Sequence, residues 1–201
     1  MSFDHYRTLV GQTEHRIKVQ RSEFVGIALP VSSEAAFADE LRAVEKRFFD
    51  ASHVCWAYRL AGGGESLARS ADAGEPAGTA GKPILSAIEG GGFFDVSVLV
   101  VRYFGGTKLG TGGLSRAYRE SARSVLEMST PEDRFFYHRI QVEAEYEQRG
   151  VVYRMLSPPD ILLVEERFED KSIFILDVRR SQVGAFSNSL VERRFRFAVQ
   201  P

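Results

Sequence analysis

The sequence predicts an α+β protein of two domains, on three observations. Fourteen of the eighteen glycines fall between Gly62 and Gly113, so the unusual backbone is confined to the middle of the chain. After Glu127 the stretch MSTPEDRFF breaks a helical pattern with Ser129, Thr130 and Pro131, and beyond it only Gly150 and Gly184 remain. Past that break the apolar periodicity reads strand, helix, strand, strand, helix, strand, the βαββαβ order of a split-βαβ, ferredoxin-like domain. The boundary is therefore expected near residue 130, with domains over 1–130 and 131–201.

In the first domain, RSEFVGIALPV (21–31) is rich in β-branched and aromatic residues and predicts a strand, with a partner strand around 12–20. Phe37, Leu41, Val44 and Phe48 then recur at helical spacing behind Ser32 and Ser33, which predicts a capped amphipathic helix. VCWAYRL (54–60) reads as a second apolar strand. DVSVLVVRYF (95–104) is apolar at both parities, the mark of a central strand covered on both faces. Between them a glycine-rich loop leads to PILSAIE, a short helix with Pro83 at its first position, stopped by Gly90 to Gly92. Leu114, Ala117, Tyr118, Ser121, Ala122 and Val125 line one face of a last helix.

The second domain is expected to place strands at 138–146, 160–168, 172–179 and 195–199 and helices at 147–157 and 182–193. Ser181 is the candidate cap of the second helix, and Asp170-Lys171 supplies a hairpin turn.

Composition excludes several function classes. Lys plus Arg number 26 against 27 for Asp plus Glu, with 15 of each sign before residue 130 and 11 against 12 after it, so no bulk charge draws the chain to nucleic acid or to an anionic membrane. Any such binding must come from a local patch. One cysteine, Cys55, cannot form an internal disulfide, and four scattered histidines give no metal-ligand spacing. No apolar run approaches the roughly 20 residues of a membrane helix and no export signal is visible, so a cytoplasmic protein without metal or cofactor is expected.

Two segments carry the chemistry. In RYFGGTKLGTGGLSRAYRESAR (102–123) a buried strand runs into Gly105, Gly106, Gly110, Gly112 and Gly113 and then into a helix, concentrating backbone N–H groups beside a helix start. Arg102, Lys108 and Arg116 give this stretch a positive balance that the whole chain lacks, and Tyr103 and Phe104 could stack on a base. The alternative is that these glycines serve only tight turns and close packing. SADAGEPAGTAGKPIL (70–85) sets Asp72 and Glu75 among Gly74, Pro76, Gly78, Thr79, Gly81 and Lys82. Pro83 after Gly81-Lys82 rules out a Walker A loop, which needs Ser or Thr there. The two acids could serve acid–base or magnesium chemistry, or act as turn formers and caps. His53 and Cys55 share one strand face and could pair as base and thiol, against the reading of Cys55 as a small core hydrophobe.

GEPAGTAGKPIL and VVRYFGGTKLGTGGLSRAY together resemble the two signature segments of the IMPACT/YigZ family, in order and at close to the expected separation. The resemblance covers most of the chain. It implies an N-terminal domain of the ribosomal protein S5 domain 2-like β-α fold followed by a ferredoxin-like domain. It also implies a link to translation, the setting of the family's eukaryotic members. Asp72 stands where the family usually carries two adjacent acids, and Glu23 replaces the basic residue of its early K-S-R-F segment. The leading expectation is a non-enzymatic regulator that binds RNA or phosphate, partnered by RNA, the ribosome or a translation-associated protein, with no catalytic residue assigned. Two alternatives stand beside it: an enzyme acting on a nucleotide or phosphorylated small molecule, and a protein-interaction module whose glycine signature is structural.

Overall fold

A computed structural model describes residues 4–61, 66–168 and 170–200, and the glycine run at 62–64 lies outside the described residues. Two units emerge, one of residues 6–61 and 66–134, the other of residues 4–5, 135–168 and 170–200.

Apart from the terminal His5 of β1 and Phe135 of β7, the first unit contains, in order, β1 (His5–Leu9), β2 (Thr13–Val19), β3 (Ser22–Pro30), α1 (Glu34–Arg47), β4 (His53–Leu60), β5 (Leu67–Ala71), α2 (Gly81–Gly90), β6 (Val96–Tyr103), α3 (Gly110–Met128) and β7 (Pro131–Phe135). Five strands form an antiparallel sheet in the order β2-β3-β6-β4-β5. Its centre is β6, buried from Val96 through Arg102 because both of its faces are covered. On one face Phe24, Cys55, Val98 and Val100 pack with Ile84 and Ile88 of α2 and Leu114, Tyr118 and Val125 of α3. On the other, Val25, Ile27, Leu99 and Val101 pack with Phe37 and Val44 of α1. The Ser33 hydroxyl caps α1 by accepting from the Ala36 N–H at 3.1 Å, as its sequence predicts.

Three strands were not expected. β5 forms where a loop is predicted, pairing Leu67–Ala71 against Leu60–Trp56, while β1 pairs with β7 in a two-stranded ladder. The stretch after Thr130 thus enters a strand at Pro131, the first residue of a strand in a two-stranded ladder, a position that tolerates proline. Helix α2 begins two residues before Pro83, because a carboxylate from outside the helix receives its first N–H groups, as described below.

The second unit consists of β8 (Tyr137–Ala144), α4 (Arg149–Met155), β9 (Ile161–Phe168), β10 (Ser172–Arg179), α5 (Val183–Glu192) and β11 (Arg196–Val199). The sheet order β11-β8-β10-β9 is that of the ferredoxin-like βαββαβ fold. Ile140, Val142, Phe174, Leu176 and Val178 form the core face against Val152 of α4 and Phe186 and Leu190 of α5. Each helix is preceded by a single 3-10 turn, at Tyr146–Gln148 and Arg180–Gln182, so the helices are shorter than predicted. Ser181 is not the cap of α5. Gln182 occupies that position, and Ser181 gives its N–H and hydroxyl to Asp4, both at 2.8 Å. Among the described residues no helix is long and apolar enough to cross a membrane.

Candidate functional site

The acids of the SADAGEPAGTAG segment (70–81) act on the protein itself. Asp72, just past β5, accepts the N–H groups of Gly78 (2.7 Å), Ala80 (2.9 Å) and Gly81 (2.8 Å), closing the loop and capping α2 from nine residues away. Burial pushes the Asp72 carboxyl up, but the three N–H donors outweigh it and hold the group below its usual value. Thr79 donates its hydroxyl to the Pro76 carbonyl at 2.7 Å, a second closure within the same loop. Gly74 and Gly78 take left-handed φ of 90° and 76° in these turns.

Glu75 points the other way, into the face of the sheet covered by α2 and α3. Phe24 of β3, Arg102 of β6 and His53 of β4 occupy one register row across three adjacent strands. The Glu75 carboxylate accepts from Arg102 Nη1 at 2.6 Å and from the Tyr118 hydroxyl at 2.8 Å, with His53 Nε2 at 3.9 Å. Arg102 also donates to the Ser22 hydroxyl at 3.3 Å, and its guanidinium lies over the Phe24 and Phe104 rings. Cys55 completes the cluster, its thiol 2.9 Å from the Asp72 carbonyl oxygen, the nearer acceptor for its one proton, and 3.3 Å from the Tyr118 hydroxyl. Burial, joined by the nearby Glu75 and Asp72 charges, pushes the Cys55 thiol up to about 12 against the opposing Tyr118 hydrogen bond. At neutral pH it is a thiol and not a nucleophile. His53 meanwhile bonds the Ala73 carbonyl through Nδ1 at 3.0 Å, so it is not aimed at Cys55 as a base. A carboxylate already holding a guanidinium and a phenol at 4% exposure is a structural anchor that pins the signature loop to the sheet.

The glycine-rich segment after β6 presents its cations outward. Gly105 lies so close to the β2–β3 turn that a Cβ there would come within 1.8 Å of the Arg21 carbonyl oxygen, and Ser22 receives its N–H at 3.3 Å. This is a close-approach glycine. Gly106 and Gly110 take left-handed φ of 84° and 69°, and Gly112 and Gly113 lie in the first turn of α3. Lys108 and Arg116 are exposed. Among the described residues no carboxylate pairs with Lys108, Arg116 or Arg119, whereas Arg123 is held by Glu120 and Glu127 on its own helix. Arg116, Arg119 and Arg123 line a groove of about 650 Å³ between α3 and the β2–β3 turn, with Gln20 and Val19 opposite and Glu120 as its one acid.

The predicted site residues thus divide. Glu75, Arg102 and the Asp72 backbone meet in the buried cluster; Lys108 and Arg116 remain in solvent on α3 and its loop. Tyr103 points to neither, its hydroxyl bonding Asp50 at 3.0 Å and its ring packing on the α1 side of the sheet. Lys82 is exposed at the start of α2, where its charge helps hold Asp72 ionised. Ser22 and Tyr118 join the cluster unforeseen; the hydroxyl-bearing Tyr118 on a largely apolar α3 face was the available signal. Among the described residues no group of three His, Cys, Asp or Glu side chains converges to hold a metal.

Comparison with known proteins places this arrangement. The profile of the Impact N-terminal domain matches residues 20–126, which include both signature segments and every residue of the buried cluster. The chain is 32% identical over 187 residues to the IMPACT family member YvyE of Bacillus subtilis, spanning 93% of this chain and 86% of that protein. It is 29% identical over 180 residues to the IMPACT family member YigZ of Escherichia coli, spanning 87% and 86%. A crystal structure of a hypothetical protein matches with a TM-score of 0.75 at 24% identity, covering 99% of this chain and 98% of that one, which establishes the shared two-unit fold. The structure of the two-domain translational regulator Yih1 matches at 30% identity and a TM-score of 0.41, over 59% of this chain and 47% of that one. By its matching domain and its relatives, this chain belongs to the IMPACT family.

Proposed function

We propose that the protein is a cytoplasmic, translation-linked binding protein that recognises RNA phosphates through the groove beside α3 and the loop leading into that helix, with Arg116 in the groove and Lys108 on the loop as its principal cations. One observation supports this above the rest: these two cations and Arg119 stand exposed and without carboxylate partners, while the acids of the neighbouring signature loop are turned inward. Unpaired exposed cations can neutralise phosphates without first giving up an ion pair, and phosphate contacts dominate nucleic-acid affinity. The translational setting comes from the family resemblance, and RNA or the ribosome is the partner it suggests. Acid–base chemistry on a phosphorylated small molecule is the weaker reading, because Asp72 and Glu75 would have to release three backbone N–H groups, or a guanidinium and a phenol, before acting.

Fluorescence anisotropy with a labelled single-stranded RNA tests the proposal. Lys108→Ala and Arg116→Ala should each weaken binding by a similar factor across RNA sequences, as expected of backbone contacts. If both variants retained wild-type affinity, the groove would not be the site.

A further inference from the structure

At the C-terminal ends of α2 and α3 lies a second cavity, of about 480 Å³. Its floor is apolar: Ala87 of α2, Leu126 of α3 and the ring of Phe93, the last two only 5% exposed. The space stays open because Gly90 and Gly91 close α2 without side chains, and a Cβ on Gly91 would come within 2.6 Å of the Phe93 ring. The rim is basic. Arg7 lies over the Phe93 ring at 5.2 Å, its backbone fixed where its carbonyl accepts the Phe94 N–H at 2.8 Å. Arg119 faces the same space from α3, and among the described residues neither arginine has a carboxylate partner.

Three arginines against Glu127 give this lining a formal charge of +2. The C-terminal ends of two helices subtract about half a charge each, leaving a net of about +1. Arg123 is occupied by Glu120 and Glu127, so the usable positive charge is that of Arg7 and Arg119. A cavity of this volume, with an apolar floor and a few convergent polar groups, has the character of a small-molecule site.

We propose that this cavity binds a small aromatic acid, its planar body on Phe93, Leu126 and Ala87 and its single anionic group between the Arg7 and Arg119 guanidiniums. The cavity adjoins the RNA groove and shares Arg119 and Arg123 with it, but differs from it in the Phe93 ring of its floor and in its use of Arg7. A flat ring matches a floor formed by a phenyl ring and two aliphatic side chains, and guanidinium forks match the planar or tetrahedral oxygens of an acid.

Anilinonaphthalene sulfonate is a suitable probe, since it carries one anionic group on an aromatic body and fluoresces when held in apolar surroundings. Titration of the full chain under native conditions should give a saturable rise at one equivalent. Arg7→Gln and Arg119→Gln should each weaken it about tenfold, the scale of a lost charge-assisted contact. Ser86→Trp, on an exposed α2 position at the cavity, should fill the space and abolish the signal. The neutral N-phenylnaphthylamine should bind about tenfold more weakly than the sulfonate, and Lys46→Gln, exposed on α1 across the sheet from the cavity, should leave sulfonate binding unchanged. Absence of a saturable signal, equal binding of the neutral amine, or wild-type binding by both arginine variants would overturn the proposal. Should Ser86→Trp fail to fold, the two arginine variants, both at exposed side chains, decide it alone.

Discussion

Replacing Glu75 with Gln should destabilise the first unit far more than an isosteric substitution ordinarily does. The side chains of Glu75 and Arg102 are 4% and 6% exposed, and among the described residues the carboxylate is the one anion bound to the guanidinium. Gln keeps the size and one accepting oxygen but removes the charge, leaving Arg102 buried between the Phe24 and Phe104 rings with its Nε already unpartnered. Removing one member of a buried ion pair costs about 3–5 kcal/mol. At about 2–4 °C per kcal/mol for a chain of this length, the melting temperature should fall by about 6–20 °C, read by differential scanning calorimetry. Replacing both partners, with Glu75→Leu and Arg102→Met together, should recover most of that loss, because an apolar pair needs no compensation. A Glu75→Gln protein melting within about 2 °C of wild type would refute the reasoning.

Three further outcomes follow from the same geometry. Asp72 is held below its usual value of 3.8 in the folded protein, so its contribution is complete above that pH and lost as pH falls through the lower folded value; Asp72→Asn should reduce stability at pH 7 and flatten the acid limb of the stability profile, measured by urea unfolding. Cys55, buried and raised to about 12, should resist a disulfide-exchange reagent at pH 8 in the native protein and react fully once the chain is denatured; stoichiometric native labelling would contradict its placement. Gly105→Ala should prevent the β2–β3 turn from closing on the loop and lower soluble yield sharply, whereas Gly112→Ala, whose nearest neighbour would be Arg116 at 3.7 Å, should stabilise α3 by about 0.5–1 kcal/mol.

Long, strongly patterned elements were legible in the sequence. The run VSVLVVR, short and rich in β-branched residues, reads as a strand covered on both faces, and the spacing of Phe37, Leu41 and Val44 behind Ser33 reads as a capped helix. The strands that escaped are short and weakly patterned: LARSA and PEDRF carry too little apolar alternation to be distinguished from loop, and pairing to a partner decides them. The site was legible in its parts and not in its assembly. Asp72 and Glu75 stand three residues apart, yet one side chain turns to the helix start and the other to the sheet, a division set by the left-handed turn at Ala73 and Gly74 that the sequence does not announce. The partners of Glu75 lie 27 and 43 residues away, so no local motif could report that Arg102 is inward and paired while Lys108 is outward and free.

The salt dependence of RNA binding tests the phosphate-binding role of this surface most directly. If Lys108, Arg116 and Arg119 each neutralise a phosphate, log affinity for single-stranded RNA should fall against log salt with a slope of about −2, from about −0.7 per contact. Removing Lys108 or Arg116 should lower the steepness by about 0.7 each. A salt-independent affinity, or a slope that both alanine variants leave unchanged, would contradict it.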